Sequence, residues 1–162
     1  MKQIYITDAN IFIDLYNLGI VKEFLSLECE LCTTDFVMEE LEPEQAAIFS
    51  GLKIYESSEE EIEKIVDLMD NHTGLSFEDC SVWYFADKTQ GVLITSDGKL
   101  RKTAFNSGTD VRGILHLFEK MKDEELLSIE ICIEKLELLK TVNVRSPKKL
   151  IDNLIDQFKN EL

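Results

Sequence analysis

Apolar and polar positions along the chain fall into blocks that read alternately as strands and helices. Residues 4–7 (IYIT) are apolar and β-branched, the pattern of a short buried strand. A helical stretch follows, with Ile11, Leu15, Leu18 and Val21 in one apolar stripe, and runs on to Leu27. Residues 30–34 (ELCTT) predict a second strand, and 35–50 predict helix with a break at Pro43, because proline disfavours helix in the residue before it. Residues 52–57 (LKIYES) predict a third strand. Ser58 and Glu61 then form a capping box for a helix that lines Ile62, Ile65, Val66 and Met69 along one face. Residues 76–90 predict a further helix, apolar almost all round from Cys80 to Ala86, as a buried central helix should be. A fourth strand at 91–95 (GVLIT), a short helix ending near Gly108 and a helix at 113–121 complete the alternation. Strands separated by helices imply a mostly parallel sheet covered on both faces.

From residue 124 the chain reads as mostly helical. Pro147 interrupts it, and the segment after it aligns Leu150 or Ile151 with Leu154, Ile155 and Phe158. Such a stripe serves either to dock a tail helix on the core or to contact another chain, and the pattern alone does not choose. The expected division is a domain over 1–122 and a helical C-terminal extension over 123–162.

Length and composition narrow this picture. A chain of 162 residues fits one domain with a sizeable core. No apolar run approaches the ~20 residues that span a bilayer, so no membrane partner is expected. The N-terminus meets a carboxylate at Asp8, before a secretory signal could develop, and the expectation is an intracellular, cytoplasmic protein. Cys29 and Cys32 form a C-x-x-C, but a zinc site would want a second pair or nearby histidines, and His72 and His116 stand at unrelated spacings. The four cysteines read as reduced structural thiols. Nucleotide-binding glycine motifs are missing: there is no Walker-A loop and no G-x-G-x-x-G.

The net charge of −15 is unevenly placed. Residues 1–90 hold 20 acids and 5 bases, whereas 91–162 hold 12 of each. A protein this acidic does not coat nucleic acid through a broad electrostatic footprint, so any such contact must be local or assisted by metal ions. Lys99, Arg101 and Lys102 form the obvious local cluster, with an exposed helix face as their plainer reading.

Four acids stand out by position. In open parallel sheets, ligands gather outside the carboxyl ends of the strands. Asp8 follows the first strand directly, and Asp97 follows the fourth after one residue. Asp79 opens the buried helix on the same face as Val82, Trp83 and Ala86, where an unpaired carboxylate pays for desolvation. Glu40 borders the apolar face of the helix after the second strand. Each has a simpler reading. Asp8 and Asp97 could be N-caps, Ser76 and Asp79 could make a capping box, and Glu40 could be a solvated charge like Glu39. Together, acids at one sheet edge repel, and hard oxygen donors suit magnesium or manganese.

In their order along residues 3–122, IYITDANIFIDL, TTDFVMEEL, LSFEDCSVWYFADKTQGVLITSDGKLRK and TDVRGILHLFEKM resemble a PIN domain, especially the group of VapC-like toxins. The resemblance implies a three-layer α/β/α fold around a central sheet of four to five strands. It implies a Mg2+- or Mn2+-dependent ribonuclease acting on single-stranded or structured RNA, with Asp8, Glu40, Asp79 and Asp97 as catalytic metal ligands, some through water. Thr95 or Ser96 would support the last acid, Asn10 would brace the first loop, and Lys99, Arg101 and Lys102 would contact the RNA backbone. Asp79 is the first choice for the group that takes the proton of the attacking water. A toxin–antitoxin role would bring a small antitoxin as partner, and a homodimer is also expected. The competing expectation is a PIN-fold protein-binding module with weak or no nuclease activity, favoured by the acidity and the long tail and opposed by the complete acid set.

Overall fold

The computed structural model describes residues 2–162. Five parallel strands, β1 (Ile4–Thr7), β2 (Glu30–Thr34), β3 (Lys53–Tyr55), β4 (Val92–Ile94) and β5 (Asp110–Arg112), form one sheet in the order β3-β2-β1-β4-β5. β1 lies at the centre, with Tyr5 opposite Leu31 on one side and Val92 on the other. The chain builds outward from β1 through β2 and β3, then returns to β1's free side at β4. That reversal makes the carboxyl ends of β1 and β4 the switch point of the sheet, where adjoining connections diverge and leave a crevice.

Helices cover both faces, giving the expected three-layer α/β/α arrangement. α5 (Glu59–Asn71) and α6 (Phe77–Thr89) lie together, with α6 across β1, β2 and β4. α6 buries Cys80, Ser81, Val82, Trp83, Phe85 and Ala86, as its nearly all-round apolar sequence requires. On the other side Tyr5 reaches α8 (Ile114–Asp123), its hydroxyl 2.8 Å from Nε2 of His116. α1 (Ala9–Leu18) packs against α9 (Ile129–Val142), and α9 against α10 (Lys148–Asn160). Ile151, Leu154, Ile155 and Phe158 of α10 are buried in the same core as the sheet. The stripe of the tail helix is therefore docked on its own chain.

The remaining helices are short: α2 (Val21–Leu25), α3 (Asp35–Glu40), α4 (Pro43–Ile48) and α7 (Gly98–Asn106). Pro43 does divide residues 35–50, at the start of α4. The single helix expected from 11 to 27 is two, because Gly19 takes φ 73° and turns its amide back to the carbonyls of Leu15 and Tyr16. β5 has no counterpart among the strands read from the sequence. It is an edge strand with a single apolar residue, Val111, so it shows neither an apolar run nor a readable alternation. Among the described residues no helix is long and apolar enough to cross a membrane. All four cysteines are free and buried, and burial pushes the Cys29 and Cys32 thiols up to about 11, which keeps them protonated and unreactive.

Candidate active site

The site begins where β1 ends. Thr7 is the last strand residue, and Asp8 is the N-cap of α1, accepting a hydrogen bond from the Ile11 amide at 3.2 Å. Its own amide continues the ladder to the Ile94 carbonyl at 3.1 Å, so the residue is fixed between β1 and β4. The second carboxyl oxygen accepts a hydrogen bond from the Thr95 hydroxyl. The same hydroxyl oxygen accepts from the Asp97 amide at 3.1 Å, and Asp97 caps α7 by accepting from the Leu100 amide at 2.8 Å. Thr95 thus ties the two acids of the switch point to one another.

The other two acids come from helices that flank this crevice. Thr34 caps α3, accepting from the Val37 amide at 3.2 Å, and its hydroxyl lies 2.9 Å from that of Ser81 on α6. The Phe36 and Phe77 rings meet edge to face with centroids 4.7 Å apart. These contacts bring the end of α3, with Glu40, to the start of α6, with Asp79. Asp79 and Ser76 form the capping box: Asp79 accepts from the Ser76 amide and its amide donates to the Ser76 hydroxyl, both at 3.0 Å.

Asp8, Glu40 and Asp79 line one small cavity of about 20 Å3 together with Asn10, Val37 and Glu78. That is room for one water-sized occupant. Asp97 does not line it. With Asn10 and Ser96, Asp97 faces a larger cleft alongside. The four expected acids therefore gather at one edge in two adjoining spaces. Glu78 joins them without having been expected. Its one sequence signal was its place beside Asp79, and the α3–α6 contact that makes it relevant is long-range.

The electrostatics are those of an uncompensated acidic cluster. Asp8 is 5 % exposed, and burial pushes its carboxyl up to about 7. The hydrogen bonds from Thr95 and Ile11 oppose that rise, and the charges of Asp79 and Asp97 add to it. Burial likewise raises Asp79, against the Ser76 hydrogen bonds and with Asp97 and Glu78 adding. Glu40, at the solvent edge, is raised by partial burial and then by Glu78 and Asp79. Among the described residues none of these five carboxylates has an ion-pair partner. The capping readings of Asp8, Asp79 and Asp97 are correct as far as they go. Capping orients a carboxylate but does not require it to be buried beside others, since an N-cap works equally well in water.

These donors suit a hard divalent cation chemically, being all oxygen and short of positive charge. Among the described residues, however, no three of them stand close enough to hold an ion unaided. Asp8, Asp79 and Asp97 each accept from a backbone amide, Glu40 is exposed, and the repulsion is unrelieved. Magnesium usually keeps several waters and takes one or two carboxylates, so this spacing fits an ion bound partly through water. Lys99 extends back over Gly74, in the loop before α6. Arg101 and Lys102 border a groove with Phe105, which is 69 % exposed.

A family model described as PIN domain matches residues 4–160, a span that includes α9 and α10. Among solved structures, that of PAE2754 from Pyrobaculum aerophilum matches at 18 % identity, over 74 % of this chain and 89 % of that one, with a TM-score of 0.56. SSO1118, a PilT N-terminus domain protein from Sulfolobus solfataricus, matches at 16 % identity, over 73 % and 92 %, with a TM-score of 0.50. At such identities the likeness is one of fold. No curated protein gives a significant sequence match.

Proposed function

The chain belongs to the PIN-domain family, and from that premise we propose that it is a Mg2+- or Mn2+-dependent endoribonuclease that hydrolyses phosphodiester bonds of single-stranded or structured RNA. Members of the family are generally nucleases that use divalent metals. The observation that carries the reading is the cluster of buried and half-buried acids at the switch point, with no protein cation to balance them. Leaving Asp8 at 5 % exposure beside Asp79 and Asp97 weakens the fold, and function is the reason to keep it there.

In this reading Asp8, Glu40, Asp79 and Asp97 hold the ion, directly or through water, with Glu78 adding to the field. Thr95 orients both Asp8 and Asp97, Asn10 borders both spaces, and Ser96 faces the larger one. The bound cation would polarise the scissile phosphate and activate a water. Lys99, Arg101 and Lys102 would meet the RNA backbone just beyond Asp97. A small antitoxin and a homodimer follow from the resemblance to VapC-like toxins alone, and no feature of this chain adds to them.

The net charge of −15 favours a second reading, a protein-binding module with little or no turnover. Cleavage separates the two. With manganese, the wild type should cut single-stranded RNA, and Asp8→Asn should lose at least a hundredfold in rate, the usual scale for removing a group that stabilises developing charge. A wild type as inert as the variant across varied RNAs would overturn the nuclease.

A further inference from the structure

One helix stands apart from the acidity of the chain. α7 carries Lys99, Arg101 and Lys102 and no carboxylate, whereas every other described helix has at least one. In a protein with a net charge of −15, it is the helix that repels a polyanion least. Leu100 and Ala104 bury one of its faces in the core. Gly98, Arg101, Lys102 and Phe105, spaced at three and four residues, share the opposite face. With Val111 of β5 they line a shallow groove of about 390 Å3 that no carboxylate lines. Neither Arg101 nor Lys102 has an ion-pair partner among the described residues. Phe105 is 69 % exposed, and it is the one exposed aromatic side chain among those residues.

Two placements connect this groove to the acids. Gly98 lines both the groove and the cleft that Asp97 faces, so the two spaces meet at the start of α7. Arg101 lies against Gly113, where a Cβ would come within 2.8 Å of its Nη1. Gly113 directly follows β5, so this cation sits at the same carboxyl edge of the sheet as Asp8 and Asp97. Phe105 lies farther out, about 12 Å beyond Asp97 along the helix axis. A ring left in water beside unpaired cations suits single-stranded nucleic acid, whose bases stack on the ring while its phosphates meet the cations.

We infer that this face of α7 is a platform for unpaired RNA, with a base stacked on Phe105 and the adjoining phosphates on Arg101 and Lys102. The stacked base lies outside the bond that is cut. Binding through a free base face makes single-stranded segments the preferred substrate. The placement relative to the cut rests on the nuclease reading, and the test keeps the two apart.

The full chain in EDTA, with a fluorescein-labelled single-stranded RNA dodecamer followed by anisotropy, reads binding apart from metal-dependent cleavage. Phe105→Ala should weaken binding about tenfold and leave its salt dependence unchanged, because the ring is uncharged. Its melting temperature should stay level, because the ring is in water. Phe105→Trp should match or exceed the wild type, and Phe105→Leu, apolar but without an aromatic face, should not. Arg101→Ala should weaken binding and lower the salt slope by about one. Annealing the strand to its complement should remove most of the difference between wild type and Phe105→Ala. Wild-type affinity in Phe105→Ala, or a wild type that does not bind the strand, would overturn the platform, and cleavage by the wild type in manganese would then leave the nuclease standing. A wild type that binds through Phe105 and cuts nothing in manganese would support the platform and remove the nuclease. A wild-type dimer that Phe105→Ala dissolves would make this face a contact between copies and overturn the inference.

Discussion

The switch-point edge and the docked tail use the same side chains to opposite ends. In the tail, the carboxylates that meet a lysine do so at the surface. Lys140 on α9 donates to Asp152 on α10 at 2.6 Å and lies 2.9 Å from Glu137, and Lys122 donates to Glu161 at 2.8 Å. These groups sit at the surface, over a buried apolar contact made by Leu136, Leu139, Ile151, Leu154 and Phe158. At the switch point, Asp8 is buried, Asp79 and Asp97 lie close by, and no cation answers them. Acidity as such says little about role, because 32 acids are spread over the chain. Burial without a partner is what distinguishes the few that are costly to keep.

The largest effect that can sharpen this contrast lies in the tail. Phe158 is fully buried, with the Lys122 ammonium 5.3 Å from its ring centroid. Phe158→Ala should cost about 3–5 kcal/mol of unfolding free energy in urea, the usual range for emptying a large aromatic site. A cost below about 1 kcal/mol would mean that α10 is not part of the cooperative core.

Asp8 should behave in the opposite sense. Its carboxyl is raised from the usual 3.8 to about 7, so the folded chain holds a proton that the unfolded chain has lost. Stability of the metal-free protein is therefore greatest below about 4 on this account, and falls as pH rises towards about 7. Asp8→Asn keeps an acceptor for the Ile11 amide but cannot ionise. At pH 8 it should be more stable than wild type by roughly 2–4 kcal/mol, at 1.36 kcal/mol for each pH unit, and the gain should vanish near pH 4. Equal stabilities at pH 8 would place Asp8 in a far more polar setting than its burial implies.

How much of this was legible follows from the same physics. Asp8 and Asp97 could be placed at one edge because each follows a strand that is apolar throughout, and β1 and β4 prove to be neighbours. The central helix and the capping boxes of Ser58 and Ser76 were equally clear, since capping is local. Gly19 hid in plain view, because the apolar stripe continues past it even though the backbone does not. β5 was not legible, since Asp110 and Arg112 owe their strand conformation to β4 rather than to their own sequence. Glu78 needed long-range packing, α3 against α6.

Adding a cation tests the contrast at smaller scale. Manganese at roughly ten times its dissociation constant should stabilise the wild type by about 1.4 kcal/mol, seen as a rise in melting temperature. Asp97→Asn should lose most of that rise, while Lys140→Ala keeps it. A wild-type melting curve indifferent to millimolar manganese would leave the acid cluster unexplained.

The smallest expected effect is the sharpest control. Lys140 makes two close ion pairs, and by its contacts alone it looks more important than Asp8. Its pKa is raised by the hydrogen bonds to Asp152 and Glu137, so the pairs do favour the charged form. Yet the ammonium end is solvated and screened, and holding three flexible side chains in one geometry offsets much of the attraction. Lys140→Ala should therefore shift the melting temperature by no more than the error of the measurement at 0.15 M salt, and leave manganese-dependent cleavage of RNA unchanged. A large loss of stability would show that paired surface charge holds α9 to α10 as firmly as Phe158 does. The distinction between balanced and unbalanced carboxylates would then no longer separate the tail from the site.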